Sequence, residues 1–314
     1  MFNPERFIKE QTEKLAAEVD GRTIIGVSGG VDSTVAAILM SRAIGEHLFA
    51  VYVNNGFMRK NEDAEVAKTF DATGVRYRIV DASEEFFDSL KGVIDPEEKR
   101  KIIGNKFIEI FEREAIGWGA EYLVQGTIAP DWIESGGQLR DTIKSHHNVG
   151  GLPSSMKLKL VEPLRDLYKD EVRKVARSLG ISVSERQPFP GPALAIRILG
   201  EVTPARVEVV REACAIAEEE IEKAAESGKM DVPWQYFAVL LPLKSVGVQG
   251  DVRAYGNTVA VRAVESVDGM TAKYMRIPHD VLETISVRIT NEIKSVSRIV
   301  YDITHKPPAT IEWE

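Results

Sequence analysis

The chain has a single cysteine, no excess of positive charge and no long apolar run, and each shortage narrows what it does. One thiol, Cys214, rules out an intrachain disulfide or a paired-cysteine metal site, and fits a reducing cytoplasm. It sits in the acidic helical stretch Glu212–Glu226, where carboxylates hold a thiol protonated, so it reads as inert. A formal net charge of −8 gives no basis for broad attraction to nucleic acid or an anionic membrane. The apolar runs are too short to span a bilayer, and Phe2, Pro4, Glu5, Arg6, Lys9 and Glu10 form no apolar signal core. There is no internal repeat and no low-complexity tract. The expectation is a soluble cytoplasmic protein whose 314 residues and 44% apolar content suffice for two packed domains.

What is present is most informative at Ser28-Gly29-Gly30-Val31-Asp32-Ser33, directly behind the apolar run Thr23–Val27. Run and hexapeptide read as a strand, a tight glycine turn and a helix continuing through Thr34, Val35, Ala36, Ile38 and Leu39. Paired glycines let backbone N–H groups converge, and a helix N-terminus adds a positive dipole end, so the place suits a phosphate. Ser28 and Ser33 add hydroxyls. Asp32 would repel a polyphosphate unless Mg2+ lies between them. No Gly-Lys-Ser/Thr follows the glycines, so this is not a Walker A loop. A plain strand–turn–helix connection with a serine cap accounts for the glycines and Ser33 but not for Asp32.

Organisation along the chain alternates in the first two-thirds, as a parallel sheet with crossover helices requires. Candidate strands are Thr23–Val27, Leu48–Val53, Arg76–Val80 and Tyr122–Gln125. Candidate helices are Ser33–Ile44, Glu62–Thr73, Ser83–Leu90, Pro96 to about Ile116 (with Asp95 as N-cap) and Asp166–Leu179. Such sheets bind ligands beyond the carboxyl ends of their strands, where Ser28, Asn54-Asn55-Gly56 and Gly126-Thr127 fall. Between Thr127 and Pro163 the periodicity disappears, and Asp131, Glu134, Lys144, His146, His147 and Gly150-Gly151 suggest a mobile lid. The Pro/Gly-rich Gln187–Gly191 marks a boundary. Beyond it come a helix from about Pro204 to Ser227, strands Gln235–Leu241 and Thr258–Val264, helix Pro278–Lys294, and strands Arg298–Ile303 and Thr310–Trp313.

Ser28–Ser33 resembles the loop of the ATP pyrophosphatases, which hold the β,γ-pyrophosphate of ATP and cleave between α and β. Together with Gln125-Gly126-Thr127, Ile143–Pro153, Phe189–Pro192, Ser245–Asp251 and Lys306–Glu314, it is similar to the ATP-pyrophosphatase portion of GMP synthase over nearly the whole chain. That resemblance implies an α/β fold. A parallel-sheet, adenine nucleotide α-hydrolase-like domain would occupy residues 1–197, with the lid at about 127–163. A smaller α+β domain, residues 198–314, would dimerise and bind xanthosine 5′-monophosphate (XMP). It implies a ligase that adenylates XMP with ATP and Mg2+, releases pyrophosphate, and lets ammonia displace AMP to give GMP. ATP would be held by Ser28, Gly29, Gly30, Val31, Asp32, Ser33, Thr34 and Gly126, with Mg2+ on Asp32. Lys144, His146 and His147 would neutralise phosphoryl charge, and Asp131 and Glu134 would take a proton or bind Mg2+, Glu134 otherwise serving as a salt-bridge partner. Arg197, Gln249, Lys306 and Glu312 would hold XMP, Arg197 and Lys306 on its phosphate and Glu312 on the base.

Two departures from the family matter. Ala193 stands after Phe189-Pro190-Gly191-Pro192 where the family usually has glycine, which strains the turn if φ is positive there. No cysteine suits a glutaminase domain, so ammonia is expected from a separate glutamine amidotransferase subunit. NAD synthetase is the nearest alternative enzyme, and a non-catalytic nucleotide sensor the alternative from another class.

Overall fold

The computed structural model describes residues 2–130, 158–181, 187–249 and 252–314, and the chain divides into two compact units. Asp131, Glu134, Lys144, His146, His147 and Gly150-Gly151 lie outside the described residues, as does the side chain of Gln249. Most of the expected lid falls there too.

The first unit comprises Met1–Asn54, Asn61–Ala82 and Gly104–Arg186. Five short apolar strands build it: β1 (Thr23–Val27), β2 (Leu48–Asn54), β3 (Tyr77–Asp81), β4 (Tyr122–Val124) and β5 (Lys159–Val161). All neighbours are parallel, in the order β3-β2-β1-β4-β5. Parallel strands need crossovers, and helices supply them. In chain order the helices are α1 (Pro4–Glu18), α2 (Val31–Ile44), α3 (Glu62–Thr73), α4 (Ser83–Ser89), α5 (Pro96–Trp118) and α6 (Lys169–Ser178), of which α4 and the start of α5 group with the second unit. β1 is buried everywhere except Gly26. A Cβ at Gly26 would lie 3.2 Å from the Phe111 ring, so the glycine lets α5 pack closely on the sheet. The chain runs from β1 outward to β3 on one side and to β5 on the other. The switch point therefore lies between the carboxyl ends of β1 and β4.

Two elements of this unit differ from expectation. Helix α1 was not anticipated, although its signal is present: Asn3 accepts from Arg6 N at 3.0 Å and Pro4 takes the first helical position. Strand β5 lies inside the stretch read as irregular up to Pro163, and three residues are too few to show alternation. The Asp95 cap of α5 is as expected, accepting from Glu98 N at 2.9 Å.

The second unit comprises Asn55–Lys60, Ser83–Ile103 and Gln187–Glu314. Residues 187–197, expected with the first domain, thus group with the second, as do two segments far earlier in the chain. Phe57 packs edge-on against Phe86 and Phe87, its carbonyl accepts from Leu194 N, and Arg211 donates to the carbonyls of Gly56 and Met58. The strands β6 (Gln235–Gln249) and β7 (Val252–Glu265) form a hairpin much longer than the expected runs. β8 (Lys273–Tyr274) and β9 (Val296–Tyr301) pair with β7, the first antiparallel and the second parallel. Helix α7 (Pro204–Glu226) packs on β6, and α8 (His279–Glu292) packs on α7.

The expected strand Thr310–Trp313 does not form. Its polar–apolar alternation is genuine, but the carbonyls of Thr310 and Ile311 accept from the buried guanidinium of Arg262 at 2.9 and 2.8 Å. Arg262 also donates to Thr304 O and pairs with Asp302. A side chain has replaced the ladder partner.

Ala193 does adopt a positive φ of 53°. The left-handed conformation costs a non-glycine residue about 1 kcal/mol. Its methyl is buried, and returns about 0.8 kcal/mol. The two nearly offset, which explains how alanine is tolerated at this turn.

Cys214 is buried against β6, with Sγ 3.4 Å from Ala238 O and accepting from Ala238 N. Burial, more than the neighbouring Glu218, pushes its thiol up to about 11. A disulfide reagent at pH 8 is expected to leave the native protein unmodified and to titrate one thiol in guanidinium. Rapid native labelling would show that Cys214 is not buried in this way.

Candidate active site

At the switch point the chain leaves β1 at Val27 and is helical again by Val31. So tight a reversal needs left-handed backbone, and Gly29 supplies it with φ 75°. A Cβ there would also come within 2.5 Å of Glu62 Oε1, the movable end of a side chain, so the positive φ more than the space calls for glycine. Gly30 caps α2, and its carbonyl accepts from both the amide and the hydroxyl of Thr34, at 3.2 and 2.8 Å. The Ser33 hydroxyl closes the loop by accepting from Ser28 N at 3.2 Å, and the two serine hydroxyls lie 3.3 Å apart. Val31 is buried and pins the helix start to the core. The first-turn amides of a helix have no intrahelical partner, and here they open at the sheet's carboxyl edge.

Gly126, just after β4, completes the cradle from the other side. A Cβ on it would meet Ser33 N at 3.1 Å and the Asp32 carbonyl carbon at 3.2 Å, both main-chain atoms. Ser28, Gly29, Gly30, Val31, Asp32, Ser33, Thr34 and Gly126 are thus brought together in one place. Asn54, at the end of the neighbouring β2, instead donates to Asp63 at 2.6 Å.

Asp32 is the one charged side chain of this loop. One carboxylate oxygen accepts from Lys169 Nζ at 2.6 Å, while the other, Oδ1, is buried with no hydrogen-bond partner. An orphaned anionic oxygen beside a phosphate cradle fits a divalent cation held by one carboxylate and substrate phosphates, the usual mode for Mg2+. Among the described residues there is no cluster of three or more metal-ligating side chains. Sequence reasoning missed Lys169. The available signal was its place as first residue of α6, where a cation opposes the helix dipole.

The second unit holds Arg197, Lys306 and Glu312. Arg197 is 1% exposed and grips Glu312 through two hydrogen bonds of 3.1 and 2.8 Å, stacked over Phe237. Burial pulls this guanidinium down, but the charge and hydrogen bonds of Glu312 outweigh it and leave it raised. Nε and Nη2 are engaged by Glu312, while Nη1 is buried without a hydrogen-bond partner among the described residues, so the guanidinium orients that carboxylate and keeps one donor uncommitted. Gln235, also missed from sequence, donates to the same carboxylate at 2.9 Å. Lys306 Nζ donates to Gly269 O at 2.8 Å.

Comparison with known proteins now bears on both units. The family described as NAD synthase matches residues 3–106, and that described as GMP synthase C terminal domain matches residues 219–313. A protein of Thermococcus kodakarensis, named as one subunit of a glutamine-hydrolyzing GMP synthase, is 62% identical over 314 residues, 99% of each chain. The protein of the same name from Methanopyrus kandleri is 59% identical over the full length of both. The chain belongs to the GMP synthase family. A longer glutamine-hydrolyzing GMP synthase from Geobacillus kaustophilus is 55% identical, and the chain covers 61% of it. Among solved structures, an NMN synthetase from Francisella tularensis aligns with TM-score 0.47 and 16% identity, over 62% of this chain and 78% of that one.

Within a GMP synthase, Gly126 is a sharp probe of the cradle, because the atoms facing it are backbone and cannot swing away. Gly126→Ala is expected to raise the KM for ATP about tenfold by displacing Asp32 and Ser33. Circular dichroism should be unchanged. An unaltered KM would show that the loop is not held against β4.

Proposed function

We propose that this chain catalyses the synthetase half of GMP formation. The purine 2-oxygen of XMP attacks the α-phosphorus of ATP, pyrophosphate leaves, and an adenylyl-XMP intermediate forms. Ammonia then adds at that carbon, loses a proton, and expels AMP. One observation carries the reading: a glycine cradle with a carboxylate where a Walker loop has lysine, in a chain similar along its whole length to single subunits of glutamine-hydrolyzing GMP synthases. Amides of the α2 N-terminus and the Ser28 and Ser33 hydroxyls would hold the departing pyrophosphate, and Asp32 would present Oδ1 to Mg2+, whose charge stabilises that leaving group. Lys144, His146 and His147 would balance charge on the α-phosphoryl oxygens, and Asp131 and Glu134 are candidates to take the ammonia proton. Glu312 would accept an N–H from the xanthine edge, Lys306 would bind the phosphate, and Gln249 would be a further contact to XMP.

The relatives of equal length are each named as one subunit of a larger enzyme, which supports a separate glutamine amidotransferase as ammonia source, and so does the protonated, buried Cys214. No described helix is long and apolar enough to cross a membrane, and a cytoplasmic site of action is part of the proposal. The NAD synthase match over residues 3–106 favours the rival acceptor, but it ends well before the tail.

With ATP, Mg2+, XMP and ammonium the chain should yield GMP, AMP and pyrophosphate, and with glutamine alone it should yield none. Asp32→Asn should lower turnover roughly 10²-fold. ADP as the direct product, or activity with a nicotinate acceptor in place of XMP, would overturn the reading. We also propose a homodimer through the β6–β7 hairpin, supported by the exposed Val246, Val248, Val252 and Tyr255. Sedimentation should give a dimer mass, and Val248→Asp with Tyr255→Asp should give a monomer.

A further inference from the structure

Lys99, in the first turn of α5, has no exposed side-chain surface. An ammonium group is costly to bury, so its surroundings must be built for it. Its Nζ donates to Ile198 O at 2.7 Å and to the carboxylate of Glu314. The other Glu314 oxygen accepts from Gly200 N at 3.3 Å, and the Glu314 main-chain oxygen accepts from Arg100. Burial lowers the Lys99 pKa and raises that of Glu314, as expected for a pair enclosed by protein.

The positions of these contacts are what matter. Ile198 follows Arg197, and Glu314 lies two residues beyond Glu312. Lys99 therefore joins the two chain segments that the Arg197–Glu312 pair also joins. The Ile198 segment is fixed in turn, because Ile198 bridges Leu240 and Leu199 N donates to Leu240 O at 3.0 Å. The tail forms no strand of its own after Lys306, so its register depends on side chains. A slip of one residue would carry Glu312 away from Arg197 and Gln235 together.

We propose that Lys99 is a positioning residue for nucleotide recognition: by holding Ile198 O and the Glu314 carboxylate it sets the register that presents Glu312 to the purine. The proposal rests on the reading of Glu312 as a contact to XMP. Steady-state KM for XMP and for ATP, together with thermal midpoints, would be measured for Lys99→Met, Glu314→Gln, the double variant and Glu312→Ala. Lys99→Met should raise the XMP KM about tenfold or more and leave the ATP KM within about twofold. Glu314→Gln keeps the shape of the contact and should raise the XMP KM less. In the double variant the stranded carboxylate is gone, so part of the XMP KM should be recovered. A lower thermal midpoint with both KM values unchanged would assign Lys99 a purely structural role and overturn the proposal. Should Lys99→Met fail to fold, an unchanged XMP KM for Glu314→Gln would overturn it equally. Glu312→Ala separates the two levels. If it leaves the XMP KM unaltered, the substrate reading and the proposal fall together; if it weakens XMP while the Lys99 and Glu314 variants do not, only the proposal falls.

Discussion

The turn from β1 into α2 is the constraint around which the first unit is organised. A strand that becomes a helix within three residues needs positive φ at Gly29, against which the Glu62 carboxylate packs. Opposite, Gly126 allows the β4 end to touch the main chain of Asp32 and Ser33. Behind, Gly26 lets Phe111 of α5 support the strand. With Val31 in the core and Thr34 bonded to Gly30 O, the amides and hydroxyls are aimed before any ligand arrives. Such preorganisation makes backbone dipoles effective toward developing charge, since nothing must be reoriented during the reaction.

The second unit solves a different problem, the placement of a tail with no ladder to hold it. Three buried cations do so: Arg197 on Glu312, Arg262 on Asp302, and Lys99 on Glu314. Stability is a poor rationale for them, because apolar residues of similar volume often serve as well as a buried ion pair. What apolar residues cannot do is accept only one register. Arg262 additionally takes three carbonyls, and Lys99 takes one. An alternative path for the tail would strand those charges and carbonyls away from water, and the penalty selects a single path.

How far the sequence disclosed this depended on whether the signal was local. Thr23–Val27, Glu62–Thr73 and the Asp95 cap were legible because an apolar run, a helical period or a capping residue lies within a few positions. The glycine turn between β1 and α2 was legible for the same reason, and the strain suspected at Ala193 is present. Strand β5 was too short to carry a period, and the tail misled because Thr310–Trp313 alternates like a strand while its carbonyls face Arg262, about fifty residues earlier. Lys169, Gln235 and Lys99 were invisible on their own, since each acts on a residue more than seventy positions away. Arg197, Lys306 and Glu312 were singled out only by family resemblance. For the first of them the structure adds a role, the orientation of Glu312 through two hydrogen bonds.

Exposure also separates the carboxylates that can change partners from those that cannot. Asp32 and Lys169 are 27% and 45% exposed, and a pair so open to solvent contributes at most about 1 kcal/mol. Separating them is cheap, so Asp32 could turn to a cation carried by a nucleotide, and its Oδ1 already lacks a hydrogen-bond partner among the described residues. Until then the pair has no net charge. An incoming polyanion meets amides, hydroxyls and a helix dipole rather than a bare carboxylate, which matters in a chain of net charge −8. Glu312 is the opposite case. Its partner Arg197 is 1% exposed, and breaking a buried pair costs about 3–5 kcal/mol. As the proposed contact to the purine, Glu312 would meet it with Arg197 and Gln235 still attached, offering only its remaining lone pairs. An acceptor fixed in this way would reward an N–H at one point of the purine edge and penalise its absence.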